Sequence, residues 1–152
     1  MAQQLADKRD IDFVIWEQLE GERVLEEERY AGFNKKTCDL ILKEARNLAI
    51  KELLPTMKAG DEQGVVLEKD GVKVPECFHR PFELLKEGEW ASLPIPTEMG
   101  GQGAPKVIGY AAAEQFMAAN WPINCYAGMG LGTALMIQIF GTPEQRQLYV
   151  KK

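Results

Sequence analysis

The segment Pro96-Thr97-Glu98-Met99-Gly100-Gly101-Gln102-Gly103 constrains this chain more than any other. Its three glycines after Met99 describe a backbone that turns through conformations a side chain would forbid. Such a loop lets two apolar helices lie close together. Glycine punctuation alone is a common structural device, so the information lies in the order of the pieces around it. Gly88-Glu89-Trp90 and Leu93-Pro94-Ile95 come before. A proline-started helix follows, then a glycine-spotted helix that ends at Phe140-Gly141-Thr142-Pro143-Glu144-Gln145.

Periodicity makes the fold all-α. Asn34 caps a helix that runs to about Leu54. Its apolar stripe is Cys38, Ile41, Leu42, Ala45, Leu48 and Ala49, and Pro55 stops it. Pro75 begins a shorter helix with Phe78, Phe82 and Leu85 on one side. Pro105 starts a third, alanine-rich, from Lys106 to about Asn120, which Trp121-Pro122 breaks. A fourth spans about Ile123 to Phe140 and is closed by Gly141. Thr142-Pro143-Glu144-Gln145 is a fresh helix start, with a threonine cap, proline next and glutamine three residues after the cap. Residues 10–29, with Phe13, Ile15, Trp16 and Leu19, read as a helical extension, and Glu26-Glu27-Glu28 as a solvated face. Residues 61–73 hold Gly64 and Gly71 around Val65-Val66-Leu67, which predicts a small hairpin or a loop with one extended strand. These elements leave a helical extension ahead of a helical domain. Trp16, Trp90 and Trp121 are expected to anchor the packing.

With 152 residues the chain is large enough for one domain with its own core. A net charge of −5 and no basic stripe argue against nucleic acid as a partner. The apolar stretches look far short of a membrane span, and the polar N-terminus lacks a signal-peptide core. Cys38, Cys77 and Cys125 are far apart with no Cys-x-x-Cys, which fits reduced thiols in a cytoplasmic protein and no metal site. One histidine, His79, leaves no material for a metal cluster or a histidine-based triad.

Chemistry is sparse. On the fourth helix Cys125, Gly128, Met129 and Gly132 recur at i, i+3, i+4 and i+7 and share a face. Three of them are small, so they leave a volume that a close-packed helix or a ligand must fill. Gly128, Gly130 and Gly132 each cost roughly 1 kcal/mol against alanine inside a helix, which a gain elsewhere must offset. The same run is not a dinucleotide loop: Thr133 stands where the last glycine is needed, no strand precedes it and no βαβ unit follows. Glu98 and Glu114 are the candidate carboxylates. Glu114, on the stripe Val107, Ala111, Glu114, Ala118, is expected to be partly buried, as a general base or in an ion pair. His79 reads as a surface residue, and Cys125 as an inert packing thiol with no cation near it in sequence.

The order of pieces resembles the N-terminal helical domain of the acyl-CoA dehydrogenases, from about Phe33 to Lys152. That family places a Trp-x-x-Leu-x-x-Pro-Glu-x-x-Gly-Gly-x-Gly-like string between two helices. The counterpart here runs from Trp90 and Leu93 through Pro96 and Glu98 to Gly100-Gly101-Gln102-Gly103. The family also closes its last long helix with Gly-Thr/Asn-x-Glu-Gln and then an aromatic, here Gly141-Thr142-Pro143-Glu144-Gln145 and Tyr149. Met99 stands where an aromatic is usual and Thr97 where an acid is common, which leaves the subfamily open. The resemblance implies FAD, an acyl-CoA substrate, α,β-dehydrogenation, an electron-transferring flavoprotein as partner and a homo-oligomer. It implies that Cys125, Gly128, Met129 and Gly132 line the acyl slot. It also implies that no catalytic residue lies in this chain, that the base and the flavin contacts come from a β-domain and a C-terminal bundle beyond it, and that the chain alone is inactive. A stand-alone helical interaction domain and an acyl-CoA oxidase remain the alternatives.

Overall fold

The computed structural model describes residues 5–150. Eight α-helices run in chain order with one small hairpin between the fourth and fifth. The N-terminal extension is a broken helical path. Helix α1 (Lys8–Asp12) leads into a π turn, Phe13–Gln18, and α2 (Gly21–Leu25) follows. It is tied to the body by Trp16, whose indole N–H donates to Asp39 at 3.0 Å, and by Arg46, which donates to the Ala6 carbonyl at 2.7 Å and to Gln115 at 3.2 Å. Ile15 enters the main core, so extension and body share one apolar cluster.

Helix α3 (Lys35–Leu48) begins as expected, with the Asn34 side chain accepting the Thr37 N–H at 3.0 Å. The next turn, Ala49–Leu53, widens into a π turn that the Leu54 N–H closes on the Ala49 carbonyl. Pro55 was expected to end the helix, yet α4 (Thr56–Gln63) resumes directly after it. The wide turn relieves the collision a proline ring makes with the carbonyl four residues back, so the path bends instead of stopping. Gly64, at φ +64°, ends α4. Strands β1 (Val66–Glu68) and β2 (Gly71–Lys73) then form an antiparallel hairpin, Leu67 opposite Val72. All six strand residues are exposed.

The core is built where α3 lies against α6 (Lys106–Ala119). Cys38, Leu42, Ala45, Ala49 and Leu53 meet Ile108, Ala112, Phe116 and Ala119. Alanines on both sides let the axes approach closely. Helix α5 (His79–Glu87), preceded by a 3-10 turn rather than starting at Pro75, supplies Leu85, and Trp90 meets Phe116 edge-on at 5.2 Å. Trp121, by contrast, is 59% exposed and anchors nothing, because it is the first residue of its helix and points to solvent.

Burial pushes the Cys38 thiol up from 9.0 to about 11, with the Asp39 charge adding to the effect. A raised folded value means that the native state holds its proton longer than the unfolded chain. Its stabilising contribution is therefore complete below pH 9 and is lost as pH rises toward 11. We expect the denaturation midpoint to fall over that window, and to fall less steeply in Cys38→Ala; equal slopes would contradict this.

Helices α7 (Trp121–Phe140) and α8 (Pro143–Tyr149) complete the chain. Thr142 and Gln145 close a reciprocal capping box on α8. Helix α7 corrects one expectation. No residue from Trp121 to Phe140 is charged. With 20 residues and a mean hydropathy of 1.3, it is long and apolar enough, by length and composition, to cross a membrane. A reading by unbroken apolar runs misses this because glycines, Asn124 and Gln138 interrupt them without adding charge.

Candidate functional site

The glycine-rich loop folds back on itself before it reaches α7. Gly100 and Gly103 sit at φ +85° and +69°, the left-handed region that favours glycine. Residues 101–104 run beside residues 92–96. Gln102 N–H donates to the Ser92 carbonyl, Ala104 N–H to Leu93, and Gly103 N–H to Ile95 at 2.8 Å. Gly101 is the tightest point, since a Cβ there would fall 2.2 Å from the Ile95 carbonyl oxygen. Pro94 presses on Gly109 of α6, where a Cβ would lie 2.8 Å from the proline ring. The loop is thereby seated on the body.

Between this loop and α7 lies a cleft of about 780 Å³, with Ile95 and Met99 on one wall, Ala127, Leu131 and Ala134 on the other, and Tyr149 at its end. Glu98 stands exposed in it. Sequence reasoning singled out the loop but not this cleft. The signal was the second apolar spacing on α7, Ala127–Leu131–Ala134, which the glycines overshadow.

The predicted residues lie on the other flank. Ile123 is fully buried and Ala127 packs on the core, so that side of α7 faces the body. Cys125, Gly128, Met129 and Gly132 fall roughly half a turn away. Cys125 and Gly128 are half-buried, Gly132 is exposed and Met129 is 74% exposed. A Cβ on Gly128 or Gly132 would meet no atom within 4 Å. The flank is open, and no helix of the described residues fills it. Met136, Ile139 and Phe140 extend the bare apolar surface along α7, and Leu148 and Tyr149 continue it on α8. A contiguous exposed surface of this kind marks an interaction site in a folded protein.

The remaining candidates do not join it. Glu114 was expected to be partly buried and is exposed, at the edge of a groove between α1 and α6. Its neighbour Gln115 takes the buried position instead, where Arg46 reaches it. His79 is exposed, 3.6 Å from Glu76. Cys38, Cys77 and Cys125 are all free thiols. Among the described residues no group of histidine, cysteine and carboxylate side chains could hold a metal ion. Neither flank of α7 fits a flavin. Among the described residues the cleft carries Glu89 and Glu98 and no cationic lining side chain, which is wrong for a diphosphate. The four predicted positions of the open flank, Cys125, Gly128, Met129 and Gly132, offer no hydrogen-bonding side chain beyond the Cys125 thiol.

Comparison with known proteins places the chain in a family. The 3-methylmercaptopropionyl-CoA dehydrogenase of Ruegeria pomeroyi is 28% identical over 147 residues, covering 97% of this chain and 25% of that protein. The broad-specificity linear acyl-CoA dehydrogenase FadE5 of Mycobacterium tuberculosis is 27% identical over 149 residues, covering 97% and 24%. The chain thus spans about a quarter of the length of these relatives. A family profile described as "Acyl-CoA dehydrogenase, N-terminal domain" matches residues 35–152, which include the glycine loop, both flanks of α7 and the capping box of α8. The all-α architecture is in keeping with that match, and the chain belongs to the acyl-CoA dehydrogenases as their N-terminal helical domain.

Proposed function

We propose that this chain is the N-terminal part of an acyl-CoA dehydrogenase that removes hydrogens from the α and β carbons of an acyl-CoA thioester. Residues 1–32 are an extension and residues 33–152 the domain. The domain supplies one wall of the acyl slot, made of Cys125, Gly128, Met129 and Gly132. The observation that carries this reading is the open flank of α7, a bare apolar face with no neighbour at its glycines, in a chain of this family. A dry wall suits an acyl chain, because positioning the thioester and excluding water supply much of the rate. FAD and the base that takes the α proton come from outside these residues, so the chain alone is inactive. An electron-transferring flavoprotein is the electron acceptor, and the full-length protein is a homo-oligomer of the cytoplasm. The three free thiols fit a reducing compartment. On this reading α7 meets protein and acyl chain rather than lipid.

The test is to express the full-length gene product and mix it, free of air, with a panel of acyl-CoAs. The panel should include linear acyl-CoAs and a short thioether acyl-CoA, since the two relatives are named for those substrates. A yellow protein that bleaches with at least one member is the expected result. Colour without bleaching across the panel refutes the dehydrogenase reading. Rapid re-colouring in air would identify an oxidase, and a native stop codon after Lys152 a helical interaction module.

A further inference from the structure

The first turn of α7 is held by a buried polar tie that the acyl wall itself does not include. Asn120 is 1% exposed and bonds in two directions. Its Oδ1 accepts the Ile123 N–H at 3.3 Å and caps α7. Its Nδ2 donates to Thr56 Oγ1 at 3.1 Å, across 64 residues of sequence. The Thr56 hydroxyl in turn donates to the Leu53 carbonyl at 2.7 Å, in the turn ahead of Pro55. The tie thus runs from the helix cap into the α3–α4 bend. Beyond the tie, α7 packs on α5 and α6, with Ile123 its one fully buried residue. The Phe78–Tyr126 ring contact, at 6.5 Å between centroids, lies in the same first two turns.

We infer that Thr56 and Asn120 are positioning residues that set the direction in which α7 leaves the domain, and through it the shape of the acyl slot; this rests on the function proposed above. A helix gripped at one end acts as a lever. Gly132 lies roughly 18 Å along the axis from Asn120, so a small tilt at the cap displaces the far wall most. The cap alone does not do this, since it fixes where the helix starts but not its angle against α4.

The experiment uses the full-length protein. Thr56→Val keeps the shape and the Asn120 cap but removes the acceptor, while Thr56→Ser restores the hydroxyl. We expect Thr56→Val to raise KM for the preferred acyl-CoA about fivefold, the loss of one hydrogen bond's worth of positioning. The kcat/KM ratio between a short and a long acyl-CoA should shift in the same variant, and Thr56→Ser should return both. A lowered melting temperature with KM and that ratio unchanged would overturn the inference and leave Thr56 a purely stabilising residue. Should the unmodified protein turn over no acyl-CoA at all, the functional reading fails first, and this inference falls with it for that separate reason.

Discussion

Gly101→Ala is expected to destabilise the protein by about 3 kcal/mol, near the upper end of ordinary overpacking. The new Cβ would lie 2.2 Å from the Ile95 carbonyl oxygen and 2.6 Å from its carbonyl carbon, both backbone atoms that no rotamer change can move. Relief would require prising residues 101–104 off residues 92–96 and breaking the Gly103–Ile95 and Ala104–Leu93 hydrogen bonds. For a chain of this size the shift corresponds to a melting temperature lower by roughly 6–12 °C. Gly100→Ala is the control of a different kind. There is open space around it, but its φ is +85°, so its cost is backbone strain of about 1 kcal/mol. Equal losses for the two variants in urea denaturation would show that the loop is not built around the Gly101 contact.

Gly132→Leu should move stability and activity in opposite directions. A Cβ at Gly132 meets nothing within 4 Å, and leucine is the better helix former by roughly 0.8 kcal/mol, so the helix gains. In the full-length protein the isobutyl group would stand in the proposed acyl slot. A filled slot rejects the longer acyl-CoAs, with kcat/KM expected to fall on the order of 100-fold for them and much less for the shortest. Steady-state kinetics over a chain-length series decides the matter. A variant that is more stable yet keeps an unchanged chain-length profile would remove the open flank from the slot.

Much of this architecture is legible in short-range chemistry. Asn34 and Thr142 announce their helices because a side-chain oxygen answers an orphan backbone N–H, a purely local event. The hairpin at residues 66–73 is one of two readings that the glycines around Val65-Val66-Leu67 allow, and the shared face of Cys125, Gly128, Met129 and Gly132 follows from period alone. The failures are those where partners distant in sequence decide. Pro55 reads as a terminator, but the π turn before it makes room for the ring. Glu114 and Gln115 are neighbours on one helix, and which of them is buried depends on Arg46, 69 residues from Gln115. Trp121 resembles an anchor until Asn120 takes the buried position and turns it outward. The Asn120–Thr56 tie could not be read at all, although Asn120 just ahead of Trp121-Pro122 is a recognisable cap signal.

The π turn at Ala49–Leu53 carries one more consequence. It holds one residue more than an α turn would need. Deleting a single codon in that turn would let the spiral close into regular α geometry with little change of phase, but would set the Pro55 ring against the carbonyl four residues back. The strain would bend the path there and carry the Thr56 hydroxyl, which now meets Asn120, out of reach. A length change at a site far from the glycine-bearing helix would then mimic substitution of Thr56, so insertions and deletions there are a hidden dial on that helix's bearing.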